Sequence, residues 1–253
     1  MHTKKIFVTG IGILMLGLVV LTSCEKTFDE KISTTNDLNK SYIQLFVATV
    51  NANRNLVSID NQRVSRPTLT SGTGFPFAVY PSTAAGTSFA VAGGLHNFVV
   101  RDTSATTTQQ ALNFAATLEP SKNYTIFMYD TITSPKQITV ETPIEIPADG
   151  SARLRFANFI YSPNAVPAVE VFSKTKNQVI FSNVNKTEVT GFIPYTQLVN
   201  DTLVIRETGT TTVLAQFNNF APSLQRSYTL IYRGSDARGT YPGTRTATIF
   251  ANR

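Results

Sequence analysis

The chain has 253 residues, with 22 Lys and Arg against 16 Asp and Glu for a net charge of +6, and carries one cysteine, two histidines and no tryptophan. Only 15% of residues are charged while 42% are hydrophobic, which excludes an intrinsically disordered chain; neither a glycine period nor a cysteine framework is present, which excludes collagen-like and disulfide-stapled folds. One cysteine cannot form an intrachain disulfide or a cysteine zinc site, and His2 and His96 are too few for an imidazole cluster, so much metalloenzyme chemistry is disfavoured and no cofactor is expected.

At the N-terminus, Lys4 and Lys5 precede an almost unbroken apolar run over residues 6–21 that ends in Leu21-Thr22-Ser23-Cys24. The run is 16 residues long and holds Gly10, Gly12 and Gly17, short of the ~20 apolar residues a spanning helix needs, and it reads as a secretory signal peptide over residues 1–23. Its terminal tetrapeptide resembles the lipobox of bacterial lipoproteins, in which the signal is cut before the cysteine and lipid is attached to the thiol. The resemblance implies Cys24 as the lipid attachment point. Each buried acyl CH₂ contributes ~0.8 kcal/mol, so two or three chains would hold the protein stably on a bilayer. The expected location is the outer membrane, on its periplasmic face or at the cell surface. Residues 24–40 are polar and lack apolar periodicity, as a flexible tether would. Within it, Glu25-Lys26 and Asp29-Glu30 resemble the charged signals that route some lipoproteins to the cell exterior.

Loss of Lys4 and Lys5 with the signal lowers the net charge from +6 to +4. Residues 24–207 hold fifteen basic and fifteen acidic side chains, whereas from Thr208 onward Arg226, Arg233, Arg238, Arg245 and Arg253 face Asp236 alone. Such an excess attracts an anionic partner such as envelope polysaccharide or lipid headgroups, or else decorates solvated strand edges where cations discourage pairing. Nucleic acid is not an expected partner, because no recognised binding motif is present.

The rest of the chain is written twice. Asn97-Phe98-Val99-Val100-Arg101-Asp102-Thr103 is answered 105 positions later by Thr202-Leu203-Val204-Ile205-Arg206-Glu207-Thr208, and Asn123-Tyr124-Thr125-Ile126-Phe127 by Ser227-Tyr228-Thr229-Leu230-Ile231 at offset 104. Upstream, Ile43, Leu45 and Val47 answer to Leu154, Phe156 and Asn158 at offset 111, and Val57-Ser58-Ile59 to Val169-Glu170-Val171 at 112. At the ends, Ile138-Thr139-Val140 answers to Thr248-Ile249-Phe250. Two units follow, 41–145 and 151–253, with a hinge at 146–150. Each alternates apolar and polar residues with period two, is rich in β-branched and aromatic residues, and is punctuated about every ten residues by Gly or Pro. The expected fold is all-β: two tandem immunoglobulin-like antiparallel β-sandwich domains, a size that buries a core without disulfides.

Leu118-Glu119-Pro120-Ser121-Lys122-Asn123-Tyr124 resembles the tyrosine corner of immunoglobulin-like sandwiches, which assigns Tyr124 a structural role; Tyr228 follows Phe220-Ala221-Pro222 at a spacing two residues longer. Further, Ser151-Ala152-Arg153-Leu154-Arg155-Phe156 and Ser162-Pro163-Asn164-Ala165-Val166-Pro167-Ala168-Val169-Glu170-Val171 resemble the first strands of a domain-of-unknown-function family of exported bacterial lipoproteins with immunoglobulin-like repeats. Relative to that pattern Ile160-Tyr161 and Val166 are inserted, Asn158 takes the His/Asn position, and Asn164 and Glu170 replace aspartates. The resemblance implies a sandwich fold and an envelope location, and supplies no catalytic residues.

Motifs for chemistry are broken. Gly86-Thr87-Ser88-Phe89-Ala90 lacks the last glycine of a nucleophile elbow, and Gly72-Thr73-Gly74 lacks the lysine and helix of a phosphate loop. Glu141, Glu145 and Asp149 cluster at a strand end and hinge, where a glycosidase pair or a single-cation site would need further partners. Phe75, Phe77, Tyr80, Tyr161, Tyr195 and Tyr241 fall in loop-like sequence and are candidate contacts for a sugar or, alternatively, covers for the ends of the cores. Asp130-Thr131-Ile132 and Asp201-Thr202-Leu203 resemble an O-glycosylation pattern. The expectation is a non-enzymatic envelope lipoprotein acting as a binding or structural module. Its rivals are a glycan-binding accessory protein of a polysaccharide-uptake system and a carboxylate-dependent hydrolase.

Overall fold

The computed structural model describes residues 38–52, 54–65, 69, 78–81, 88–196, 200–236 and 245–252. Residues 1–37, on which the expected signal peptide, Cys24 and nearly all of the expected tether fall, lie outside them. The described chain is all-β. Its first repeat contains β1 (Lys40–Val47), β2 (Asn55–Ile59), β3 (Gln62–Arg63), β4 (Val79–Tyr80), β5 (Phe89–Ala92), β6 (Gly94–Asp102), β7 (Leu112–Leu118), β8 (Asn123–Thr131) and β9 (Ser134–Glu141). One sheet has the order β4-β1-β8-β9 with β5 also on β1, and the other β3-β2-β6-β7. Ile43, Leu45, Val47, Ile126 and Met128 of the first sheet pack onto Val57, Ile59, Phe98 and Val100 of the second, giving a two-layer sandwich.

The second repeat contains β10 (Ala152–Tyr161), β11 (Val169–Ser173), β12 (Gln178–Val184), β13 (Ile193–Tyr195), β14 (Asp201–Glu207), β15 (Val213–Phe220), β16 (Ser227–Ser235) and β17 (Thr246–Ala251). Its sheets, β13-β10-β16-β17 and β12-β11-β14-β15, repeat the order of the first unit. In both, the opening strand lies parallel beside the penultimate one, Ile43 opposite Tyr124 and Leu154 opposite Tyr228, while the other ladders are antiparallel. The pairings confirm offsets of 111 and 104 for these strands. For β2 and β11 the register moves the correspondence by two residues. Val57 pairs Val100 and Val171 pairs Ile205, so Val57 answers to Val171 rather than Val169. A slip of two preserves which face each side chain occupies, so the apolar pattern alone cannot detect it.

The tyrosine corners close each sandwich. Tyr124 Oη accepts the Glu119 N–H at 3.0 Å, and Tyr228 Oη accepts the Ser223 N–H at 3.0 Å, each five residues upstream despite the displaced proline of the second. Beside the first, Pro120 packs so closely on Gly93 that a Cβ there would lie 2.5 Å from its Cγ, which only glycine avoids.

Strands β1, β8, β10 and β16 are buried on both faces, although alternation predicted one. Their second faces meet between the repeats in a shared apolar layer of Phe46, Ala48, Phe127, Ala157, Phe159, Ile231 and Phe250. Phe46 stacks on Phe250 at 5.3 Å between centroids, and Phe159 touches Phe127 at 4.8 Å and Tyr129 at 5.2 Å. Each buried aromatic side chain contributes roughly 1.5–3 kcal/mol by burial, with about 0.5–1.5 kcal/mol more per well-placed ring pair. At one end of the layer lies a polar network. Arg155, 2% exposed, donates from Nε to Thr229 Oγ1 and from Nη2 to Thr125 and Thr142 Oγ1, while Asn252 Nδ2 donates to Gln44 Oε1 at 3.0 Å. By the offsets above, Gln44 is the counterpart of Arg155 and Thr142 that of Asn252. The two cross-unit pairs are therefore the same contact with the repeats exchanged, the signature of an approximate two-fold axis. The segment 146–150, read from the sequence as a hinge, connects two sandwiches packed against each other; within it Gly150 N–H bonds Pro147 O at 3.2 Å.

Candidate binding cleft between the repeats

Where β8 of the first repeat and β10 of the second reach the end of the shared layer, the surface opens into a cleft of about 250 Å³. Tyr129, Asp130 and Lys136 line it from the first repeat, and Ile160, Tyr161, Lys186 and Thr187 from the second. Its size and mixed lining suit a small polar ligand or one unit of a longer chain.

Each wall is held by local structure. Asp130 has φ +75°, and its Oδ1 accepts the Thr131 N–H at 2.9 Å while Lys136 Nζ lies 2.7 Å from Oδ2. The hydrogen bond to Asp130 raises the Lys136 ammonium pKa above its ordinary value, so this lysine is cationic throughout the neutral range. Tyr129 is fixed by its ring contact with Phe159. On the other side, Ile160 and Tyr161 prolong β10 and pair Gly234 and Ser235 of β16. Asp236 N–H bonds Tyr161 O at 2.7 Å, locking that end. Lys186 and Thr187 sit in the turn between β12 and β13, where Glu188 Oε2 accepts the Asn185 N–H at 2.9 Å. Asn158, fully buried, anchors this turn: its O accepts from Thr187 N–H, its N–H donates to Glu188 O, and its Nδ2 donates to Val184 O. Lys186 Nζ then donates across to Ser162 O at 3.2 Å.

Of the six loop aromatics singled out from the sequence, the structure brings Tyr161 into this cleft. Tyr195 is a correction: it is 0% exposed in the second core and its Oη donates to the Asp201 carboxylate, so it is closed to a ligand. Burial and that bond push its phenol pKa well above the ordinary range. Tyr80 is half-buried against Phe89 with its hydroxyl donating to Val64 O at 2.8 Å. Phe75, Phe77 and Tyr241 lie outside the described residues, as do Gly72-Thr73-Gly74 and the start of the Gly86 motif.

The acidic cluster disperses into separate contacts. Glu141 pairs with Lys122 at 3.0 Å, Glu145 with Arg153 at 3.2 Å, and Asp149 Oδ1 accepts the Ser151 N–H at 2.9 Å. The C-terminal arginines that are described do not make a patch. Arg233 is 3% exposed with Nε donating to Thr248 Oγ1, and Arg245 forms an ion pair with Asp236; Arg238 and Arg253 lie outside the described residues. His96 is buried in β6, its ring nitrogens 2.6 Å from Asp60 Oδ2 and 2.7 Å from Ala92 O. Of the two Asp-Thr-hydrophobic triplets, Asp130-Thr131-Ile132 borders the cleft, whereas Asp201 of the other is buried.

Sequence reasoning missed Tyr129, Lys136, Lys186 and Thr187, and read Asp130 only as part of an O-glycosylation pattern. One signal was legible: Asp130 and Lys136 flank a tight Thr-rich turn in antiparallel sequence, which places them near one another. That they face Tyr161 depends on the docking of one repeat onto the other.

No protein-family model matches the chain, and no curated protein matches it. Among solved structures, it is similar to a family 26 carbohydrate-binding module from Eubacterium rectale Amy13K in complex with maltoheptaose, with 11% identity, 83% of this chain and 96% of that one covered, and a TM-score of 0.23. It is also similar to a family 41 carbohydrate-binding module from streptococcal virulence factors that recognise α-glucan, with 10% identity, 82% and 96% covered, and a TM-score of 0.26. At these scores the likeness carries no argument about what this chain binds.

Proposed function

We propose that the protein is a non-enzymatic glycan-binding module of the cell envelope, anchored to the outer membrane through lipid on Cys24, and that it takes a sugar in the cleft between its repeats. The observation that carries this reading is the meeting of Tyr129 and Tyr161, one from each repeat, around the Asp130–Lys136 ion pair and Lys186. Aromatic rings present apolar faces to the C–H side of a sugar, and fixed charges hydrogen-bond its hydroxyls, the division of labour of ligand sites generally. The described lining holds one carboxylate, so paired-acid hydrolysis finds no second acid there. The lipobox and the resemblance of the second repeat to exported lipoproteins support the location.

The test is a glycan array followed by isothermal titration of the mature protein and its Tyr161→Ala variant. Binding that falls at least tenfold in Tyr161→Ala, with unchanged melting behaviour, supports the reading. An array without binding, or affinity indifferent to Tyr161, overturns it.

A further inference from the structure

The charges of the cleft narrow the class of glycan. Asp130 is already satisfied by Lys136 and the Thr131 N–H, so the ion pair presents no net charge. Lys186 is different: its ammonium has three donors, and its described bond goes to a neutral carbonyl, Ser162 O. Among the described residues no carboxylate lies within ion-pairing distance of it. Glu188, the nearest acid in sequence, is turned back onto Asn185, where Oε2 accepts both the backbone and side-chain N–H. The lining therefore sums to one positive charge, two lysines against one aspartate. With Asp130 and Lys136 neutralising each other, Lys186 sets the sign of the field in the cleft, which favours an anion.

We infer that the ligand is an acidic glycan, bound with its anionic substituent on Lys186 Nζ and its ring against Tyr161 and Tyr129. This rests on the glycan-binding reading above and specifies its ligand class. Thr187, next to Lys186 in the lining, would then hydrogen-bond a neighbouring hydroxyl, so that charge and ring contacts act on one sugar unit. A carboxylate and a sulfate ester offer Lys186 the same chemistry.

The experiment is titration of the mature protein with three trisaccharides: tri-galacturonate, the same compound with its carboxyl groups reduced to alcohols, and a sulfated neutral trisaccharide. Each is repeated with Lys186→Gln and Lys186→Arg. The expected result is at least tenfold tighter binding of one acidic form than of the reduced form, a preference weakened by added salt, abolished in Lys186→Gln and kept in Lys186→Arg. Which acidic form wins identifies the anion. Equal affinity for acidic and reduced forms, or a preference that survives Lys186→Gln, overturns the inference and leaves the glycan reading standing. Absence of binding to all three, together with an empty array, overturns both.

Discussion

Thr125 and Thr229 hold equivalent places in the two repeats, and one arginine reaches both: Arg155 donates to each hydroxyl at 2.9 Å from within the layer that joins the sandwiches. Each threonine is also bonded to its repeat's last residue in the network, Thr125 to Thr142 and Thr229 to Asn252. Among the described residues the cation is buried without a carboxylate, on hydroxyl oxygens and aromatic faces, with its guanidinium 4.8 Å from the Phe192 ring centroid. Burial alone pushes its pKa down, to about 9.

Truncation and replacement of this arginine should therefore differ. Arg155→Ala leaves three buried hydroxyls short of a donor and opens a cavity, and should cost about 3 kcal/mol. Arg155→Met leaves the same hydroxyls without that donor but fills most of the space and removes the buried charge, and should cost less, about 1–2 kcal/mol. Chemical denaturation of the two variants side by side measures the difference; equal losses would mean that the guanidinium's hydrogen bonds, not the space it fills, are what the layer requires.

Asp201 makes stability depend on acid. Burial pushes this carboxyl up, but hydrogen bonds from Ser173, Tyr195 and the Thr175 N–H together outweigh it and hold the group below its ordinary value. A depressed acid stabilises the fold fully above its unfolded pKa of about 3.9 and loses that contribution as pH falls through the folded value. Asp201→Asn should lose about 3 kcal/mol at pH 7, and the gap to wild type should narrow steadily below about pH 4. Thermal melts of both proteins from pH 7 to pH 2.5 read the gap directly.

Tyr232 offers a substitution in the opposite direction. It is 1% exposed in the second core, and its hydroxyl has no hydrogen-bond partner among the described residues. Tyr232→Phe deletes an unsatisfied buried polar atom at nearly constant volume and should raise stability by about 1 kcal/mol in denaturant titration.

The proposed lipid attachment is separable from the fold. Cells fed labelled palmitate should incorporate it into the wild type and not into Cys24→Ala, while the folded domain of the variant, released from the membrane, should melt as before. Label entering both proteins equally would remove the anchor from the proposal.

Much of this architecture was legible in the sequence. Offsets of 105, 104 and 111 located the repeats, and period-two runs such as Ile43, Leu45 and Val47 located the sandwich cores. The second burial was also written there, in unbroken runs such as Ile126-Phe127-Met128 and Phe156-Ala157, but nothing in a local pattern says that the cover for an outward Phe127 comes from the other repeat. The cleft shares that reason. Tyr161 stood out as a loop aromatic, yet Tyr195 did equally, and only tertiary packing puts one at a junction and the other under a sheet. Asp201 looked like the first residue of a modification triplet; it is held instead by three donors from two other segments, Ser173 and Thr175 at and just past the end of β11 and Tyr195 of β13.

The exchange relation between the repeats has one more consequence. Two identical copies facing each other across such an axis would each bring whatever stands at the position of Gln44 and Arg155: two glutamines, or two guanidiniums buried near one another with no counter-charge. Joining the copies in one chain frees the positions to differ, so that a single cation crosses the divide and an amide answers it. Size divides likewise, Phe46 against Ala157 and Ala48 against Phe159. Within one chain the self-matching surface is a lock with unlike halves.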